Sequence, residues 1–306
     1  MTQSVAPAPV ASLRVLLRRV VDYAGLFPPA SLAMAPAVAE YAEHRACEHA
    51  WALGRFVVPA ARLEEFDDVA GGTLPTSAGD SWALSALVSG EVEEDLQRIG
   101  AFNARHRDAR AGAVMVDTVE LKTPTPRDVA RAAELLDRQY DTYMEVPVVD
   151  DPAELIAAIA KTMAKAKIRT GGVTPDAFPT SGHVVRFMAR CLEHGVGYKA
   201  TAGLHHPWRN EYGLTYAQDA PRGTMFGFLN VLLATAALRA GWSAADATAL
   251  LEERDPGALR FSADSAAWRG QALSIDSLAR ARDSMVAFGS CSFRDPIHGL
   301  QAGALL

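Results

Sequence analysis

Short β-like runs alternate with helical patterns along nearly the whole chain, and this alternation limits the fold more than any other feature. Runs of β character fall at residues 55–59, 82–89, 113–121, 142–148, 166–170, 197–201, 258–262 and 285–290, most of them followed by a helical pattern. Helix starts are marked: Thr125-Pro126 opens a run to Gln139, Asp151-Pro152 opens one to Ala164, and Ser243 precedes one to Glu253. Gly195 and Gly241 stand at C-cap positions. Repeated β/α units call for a parallel sheet. Eight units within 306 residues favour a closed (β/α)8 TIM barrel over an open doubly wound sheet. No internal repeat or linker tract divides the chain, so one domain is expected, with residues 1–10 as a flexible tail and a long insertion after the strand in GYKATAGL.

Composition narrows the function. A chain that is 49% hydrophobic and 22% charged, with mean hydropathy +0.03, forms an ordinary core. The net charge of −6 and the lack of a basic block argue against a nucleic-acid partner. The apolar stretch 226–237 is about half of a bilayer span, so it reads as a core helix and no membrane partner is expected. Arg14, Arg18 and Arg19 interrupt the N-terminal apolar residues and argue against a secretory signal. Cys47, Cys191 and Cys291 are widely spaced and odd in number, which suits neither a disulfide framework nor a zinc knuckle. A reducing, cytoplasmic setting is expected, as is a homo-oligomer. No G-x-G-x-x-G or Walker pattern follows a strand, so no nucleotide cofactor is implied.

The chemistry concentrates at two strand ends, where a TIM barrel builds its site. In AKAKIRTGG (164–172), period-2 alternation sets Lys165, Lys167 and Arg169 on one face and Ala166, Ile168 and Thr170 on the other. In GYKATAGL (197–204), Lys199 and Thr201 share a face. The chain has only five lysines, Lys122, Lys161, Lys165, Lys167 and Lys199, so two on inward faces carry information. Burying such cations without purpose costs several kcal/mol each. One reading makes them ion-pair partners of Glu120 or Glu145 that hold the barrel mouth together. The other makes one lysine a Schiff-base nucleophile whose pKa the remaining cations lower. That requires a depression of about 3 units, or ~4 kcal/mol.

These segments resemble class I aldolases of the deoxyribose-phosphate aldolase type, whose paired strands read K-T-S-T-G and G-x-K-x-x-G-G. VVDYAGLFPPASL (20–32) is similar to that family's opening segment, GRFVVPA to its first barrel strand, and FGSCSF (288–293) to its last. The resemblance implies a carbon–carbon lyase without metal or organic cofactor. Lys167 would be the imine-forming lysine, Lys199 the lysine that perturbs it, and Asp22 the acid of the opening segment. Asp117 or Glu120 would be the third-strand acid of a proton relay. Gly171, Gly172, Gly203, Gly289 and Ser290 match positions that hold a substrate phosphate through backbone N–H groups. Arg169 replaces a small residue, Leu204 replaces the second glycine of G-G, and residues 205–227 have no counterpart. A different substrate is therefore expected. Arg169, with Arg209 and Arg222 of the insertion, suits a small doubly anionic one, a phosphate or dicarboxylate.

His205 and His206 lack H-x-H or H-E-x-x-H spacing, so a metal is not expected, and general acid/base work suits them better. They support an alternative, an isomerase or metal-assisted hydrolase using His205 or His206 with Glu145. A third reading is a non-catalytic anion-binding barrel. Cys291 reads as a buried small residue.

Overall fold

The computed structural model describes residues 9–89, 91–136 and 139–306. Its barrel strands are β1 (Val21–Tyr23), β2 (Leu53–Pro59), β3 (Trp82–Leu87), β4 (Val114–Lys122), β5 (Asp141–Glu145), β6 (Lys165–Arg169), β7 (Tyr198–Thr201) and β8 (Met285–Ser290). They close in the order β1-β8-β7-β6-β5-β4-β3-β2 with every neighbour parallel, which is the (β/α)8 TIM barrel.

One of the eight expected strands belongs elsewhere. Leu259–Phe261 lies outside the barrel, antiparallel to Ser265–Trp268, which pairs in turn with Gln271–Ser274. The strand that completes the barrel is the three-residue β1, so GRFVVPA supplies the second strand rather than the first. A three-residue strand is too short to show periodicity, and LRF reads the same in either sheet until its partner is known.

Of the marked helix starts, Ser243 accepts a hydrogen bond from the Asp246 N–H, and the glycines marked as ends, Gly195 and Gly241, follow their helices in the left-handed region at φ +66° and +87°. Thr180 and Ser274, not marked in the sequence, also accept from first-turn N–H groups. The helix Ala153–Ile159 stops short of Ala164, because residues 160–163 form turns and bends before β6. The helix Pro126–Leu136 runs to the edge of residues 137 and 138, so the end expected at Gln139 falls on residues partly outside those described. The same holds for the tail, of which residues 1–8 lie outside. The helix Ala11–Leu17 then leads into β1 and packs on the helix Ile275–Ser284.

Outward-facing strand residues such as Phe56, Leu84, Val119, Met144, Ile168, Tyr198 and Phe288 join the apolar core between barrel and helices. The helix Phe228–Arg239, apolar on all sides, is nearly all buried. Its Asn230 donates to the carbonyls of Leu250 and Glu253 and accepts from the Arg209 N–H, which ties the insertion to the barrel wall. The insertion itself is an antiparallel hairpin of Asn210–Gly213 and Arg222–Met225. No helix among the described residues is long and apolar enough to cross a membrane.

Candidate functional site

Inward-facing side chains make the barrel interior charged rather than apolar. Lys199 Nζ donates to Asp22 Oδ2 at 2.5 Å and to Glu120 Oε1 at 2.6 Å. Lys167 Nζ donates to Glu120 Oε2 at 2.8 Å and meets Glu145 Oε2 at 3.1 Å. Ser85 Oγ donates to Glu120 Oε1 at 2.6 Å. Glu120 on β4 thus bridges the two lysines, which sit side by side in the β6–β7 register. One wall below is the ring of Tyr143, 5.8 Å from Lys199 Nζ.

Two ammonium groups against three carboxylates leave one negative charge in excess, which corrects the expected cationic cluster. Burial disfavours the Lys199 ammonium, but the Asp22 and Glu120 carboxylates outweigh it and hold its pKa above the usual lysine value. Burial likewise disfavours ionised Glu120, and Lys167 and Lys199 reverse that, keeping the carboxyl well below the ordinary range. The expected depression is therefore absent at Lys199. Of the two readings of these lysines, the ion-paired arrangement with Glu120 and Glu145 is the one observed in the resting protein.

Above the cluster, at the C-terminal ends of the strands, opens a cavity of about 240 Å3. Glu120, Lys167, Lys199, Arg169, Thr201 and His205 reach it, as do the backbones of Gly172, Gly203 and Gly289. Its apolar wall comes from Phe27, Pro28, Pro29, Val57, Leu87 and Val173, with Cys291 at the edge. Arg169 stands at the rim, shared with a neighbouring groove that Lys122 and Glu145 also line.

Close packing shapes the rim. Gly203 holds φ at +74°, a left-handed backbone that a side chain strains, and a Cβ there would come within 2.9 Å of the Phe178 ring. At Gly171 the same ring would stand 2.4 Å from a Cβ. Gly171 therefore makes room for Phe178 and is not among the cavity-lining residues. Thr170 Oγ1 donates to the Ala202 carbonyl at 2.7 Å and joins the loops after β6 and β7 instead of facing the cavity.

His205 is buried beside Ser290, with Nδ1 and the Ser290 Oγ 3.1 Å apart, and Cys291 Sγ lies 3.8 Å away. Burial pushes its pKa down to about 4, so the imidazole is neutral at pH 7. Ser290 thus positions His205 rather than lining the cavity. His206 stacks on Tyr212 at 3.6 Å between ring centres and is turned away. Glu145 has Lys167 as its partner, so the expected pairing of Glu145 with His205 or His206 is not formed.

Two further expectations are corrected. Asp117 is gripped at both oxygens by Arg55, at 2.6 and 3.1 Å, and does not reach the cavity. The β3–β4 register shifts there, pairing Leu84 with Val116 but Ser85 with Thr118, so Asp117 occupies an extra position in the strand. Glu120 is the acid that meets the lysines. Arg209 lies 4.8 Å from the ring centre of Phe226, away from the cavity, and Arg222 pairs with exposed Glu211. A doubly anionic substrate held by three guanidinium groups therefore has only Arg169 in place.

Residues that sequence reasoning missed divide into two kinds. Val57, Ser85 and Leu87 follow from alternation along β2 and β3 once those strands are placed in the barrel. Phe178, in a loop, has no periodic signal. Comparison with protein-family models, curated proteins and solved structures finds no match for this chain.

Proposed function

We propose that the protein is a class I aldolase-like carbon–carbon lyase that acts on a small anionic carbonyl compound, carboxylated or phosphorylated, through an imine on Lys167. The observation that carries this reading is the meeting of Lys167 and Lys199 on one carboxylate, Glu120, at the floor of a cavity at the C-terminal end of the barrel. Lys167 suits the nucleophile better than Lys199. Lys199 is fully buried and clamped at 2.5 and 2.6 Å, whereas Lys167 is 5% exposed and meets its carboxylates at 2.8 and 3.1 Å.

The steps balance with this chain's own groups. Glu145, 3.1 Å from Lys167 Nζ, takes a proton from the Lys167 ammonium, and the neutral amine adds to the substrate carbonyl. The carbinolamine loses water to give the iminium. A carboxylate then removes the proton of the substrate β-hydroxyl, the Cα–Cβ electron pair moves toward the iminium nitrogen, and an aldehyde departs. The enamine carbon takes a proton back, and water hydrolyses the imine to free Lys167. Lys199 keeps Glu120 ionised and positioned. Arg169 and the backbone N–H groups of Gly172 and Gly203 provide for the substrate's anionic end. The three free cysteines fit a reducing, cytoplasmic setting, and a homo-oligomer belongs to the same proposal.

Incubation with a panel of small aldehydes, ketones and 2-oxo acids, followed by borohydride, intact mass and peptide mapping, tests it. A stable adduct on Lys167, lost in Lys167→Ala and not restored in Lys167→Arg, is the expected result. An adduct on Lys199 keeps the mechanism but exchanges the two lysines. No adduct on either lysine of the folded protein overturns the proposal.

A further inference from the structure

At the opposite end of the barrel lies a second cavity, of about 580 Å3, beneath the first residues of β1, β2 and β3. Arg14, Arg18, Arg19 and Arg45 line it, with Trp51 and Tyr41. Several arginines elsewhere are matched by carboxylates, among them Arg62 with Glu65, Arg98 with Asp95, Arg190 with Asp151, Arg269 with Glu253 and Arg294 with Glu43. Among the described residues, none of the four lining this cavity has a carboxylate partner. Arg45 donates to the backbone carbonyl of Asp80 at 2.7 Å, and Arg14 lies 4.9 Å from the ring centre of Trp51.

What sets these four apart is that they line a single cavity with no carboxylate among its lining residues, in a chain with 30 basic and 36 acidic residues. Their backbone is held as well. Arg19 N–H donates to the Trp51 carbonyl at 2.9 Å, and the Arg18 carbonyl accepts from Arg282 at 3.2 Å. Four arginines lining one cavity on a held backbone create a local positive potential in a molecule whose net charge is −6. Planar guanidinium forks bind phosphate oxygens in pairs. The cavity has the volume of a small molecule rather than of a nucleic-acid track.

We infer that this end of the barrel is a binding site for a compact polyanion of the di- or triphosphate class, separate from the lysine cavity. Four guanidinium groups match the three to four negative charges of such a group, which a single carboxylate does not supply. Between the two ends stands Asp22. One of its oxygens accepts from the Arg55 N–H at 2.7 Å and the other meets Lys199, while Gly54, which lines the arginine cavity, would bring a Cβ within 2.2 Å of Asp22 Oδ1.

Titration calorimetry at fixed ionic strength, with inorganic pyrophosphate, tripolyphosphate and ATP as probes and orthophosphate and sulfate as controls, tests this. Saturable binding of the polyphosphates, at least about tenfold weaker in the Arg14→Ala/Arg18→Ala double variant and unchanged in Arg169→Ala, is the expected result. Arg19→Gly, whose left-handed backbone glycine adopts freely, is a second variant that keeps the fold and should weaken binding as well. Tighter binding of ATP than of tripolyphosphate identifies the source as a nucleotide, and the reverse order a free polyphosphate. No saturation by the folded protein, binding no stronger than that of sulfate, or binding abolished by Arg169→Ala and untouched by the arginine variants overturns the inference.

Discussion

Lys167 and Lys199, at the C-terminal end of the barrel, are buried and each meets two carboxylates within 3.1 Å, whereas Arg14, Arg18 and Arg19, at the N-terminal end, are exposed and have no carboxylate partner among the described residues. Desolvation explains the contrast. An ion removed from water loses several kcal/mol of hydration, and only close opposite charge and hydrogen bonds return it. A guanidinium in contact with water has no such requirement. Charge inside the barrel is therefore obligatorily paired and reports on both stability and chemistry, while charge at the open end is free to await an external partner. Arg169 combines the two situations, since it is exposed at the rim of the buried cluster.

The sharpest way to break this comparison is to remove one buried partner. Lys199→Met leaves Asp22 and Glu120 short of a cation and should lower unfolding stability by about 3–5 kcal/mol in urea titrations, whereas Arg18→Ala should change it by about 0.5 kcal/mol or less. Equal effects of the two substitutions would show that the interior pairs are not under a desolvation constraint.

Acid should separate the two ends next. Glu120 has a pKa below its ordinary value of 4.5, so its contribution is present above that value and is lost as the pH falls toward the folded pKa. Lys199, with a raised pKa, contributes below its ordinary value of 10.5 and loses that contribution as the pH rises through the folded one. Buried His205, shifted from 6.5 to about 4, costs stability as the pH drops between those values, because the unfolded chain takes up the proton first. His205→Asn should relieve a loss on the order of 3 kcal/mol between neutral pH and pH 4. Melting temperature against pH, compared for wild type and variant, reads it out, and superimposable acid limbs would mean that His205 is not buried as neutral imidazole.

A smaller effect belongs to the rim. Gly171→Ala must displace the Phe178 ring and should destabilise the protein by about 1–3 kcal/mol while raising KM for whatever compound is trapped on Lys167. Unchanged KM would place Phe178 outside the substrate's reach. The smallest is expected at Asp117. Its pair with Arg55 is partly exposed, so Asp117→Asn should cost about 1 kcal/mol and leave borohydride trapping intact. Loss of trapping would return Asp117 to the site.

The barrel and the inward lysines were both legible because each rests on a local period. Alternation along KAKIR is enough to set Lys167 with Lys165 and Arg169, and the recurring β/α units were enough for a closed sheet although one counted strand lies outside it and the three-residue β1 takes its place. Where the reading failed, the deciding quantity was not local. The single residue inserted at Asp117 alters which of Asp117 and Glu120 meets the lysines, and no pattern in VMVDTVELK marks it. His206 is adjacent to His205 in sequence, yet one stacks on Tyr212 and the other is sealed against Ser290.

By itself, then, the sequence determined the secondary-structure periods, the polarity of each strand face and the supply of chemically capable residues, since these depend on neighbours two to four positions away. Tertiary structure alone decided which charges meet. Asp22 and Lys199 are 177 positions apart, and Glu120 and Lys167 are 47 apart. Their pairing, and with it the sign of the Lys199 shift, exists only after barrel closure has removed them from water and brought them together.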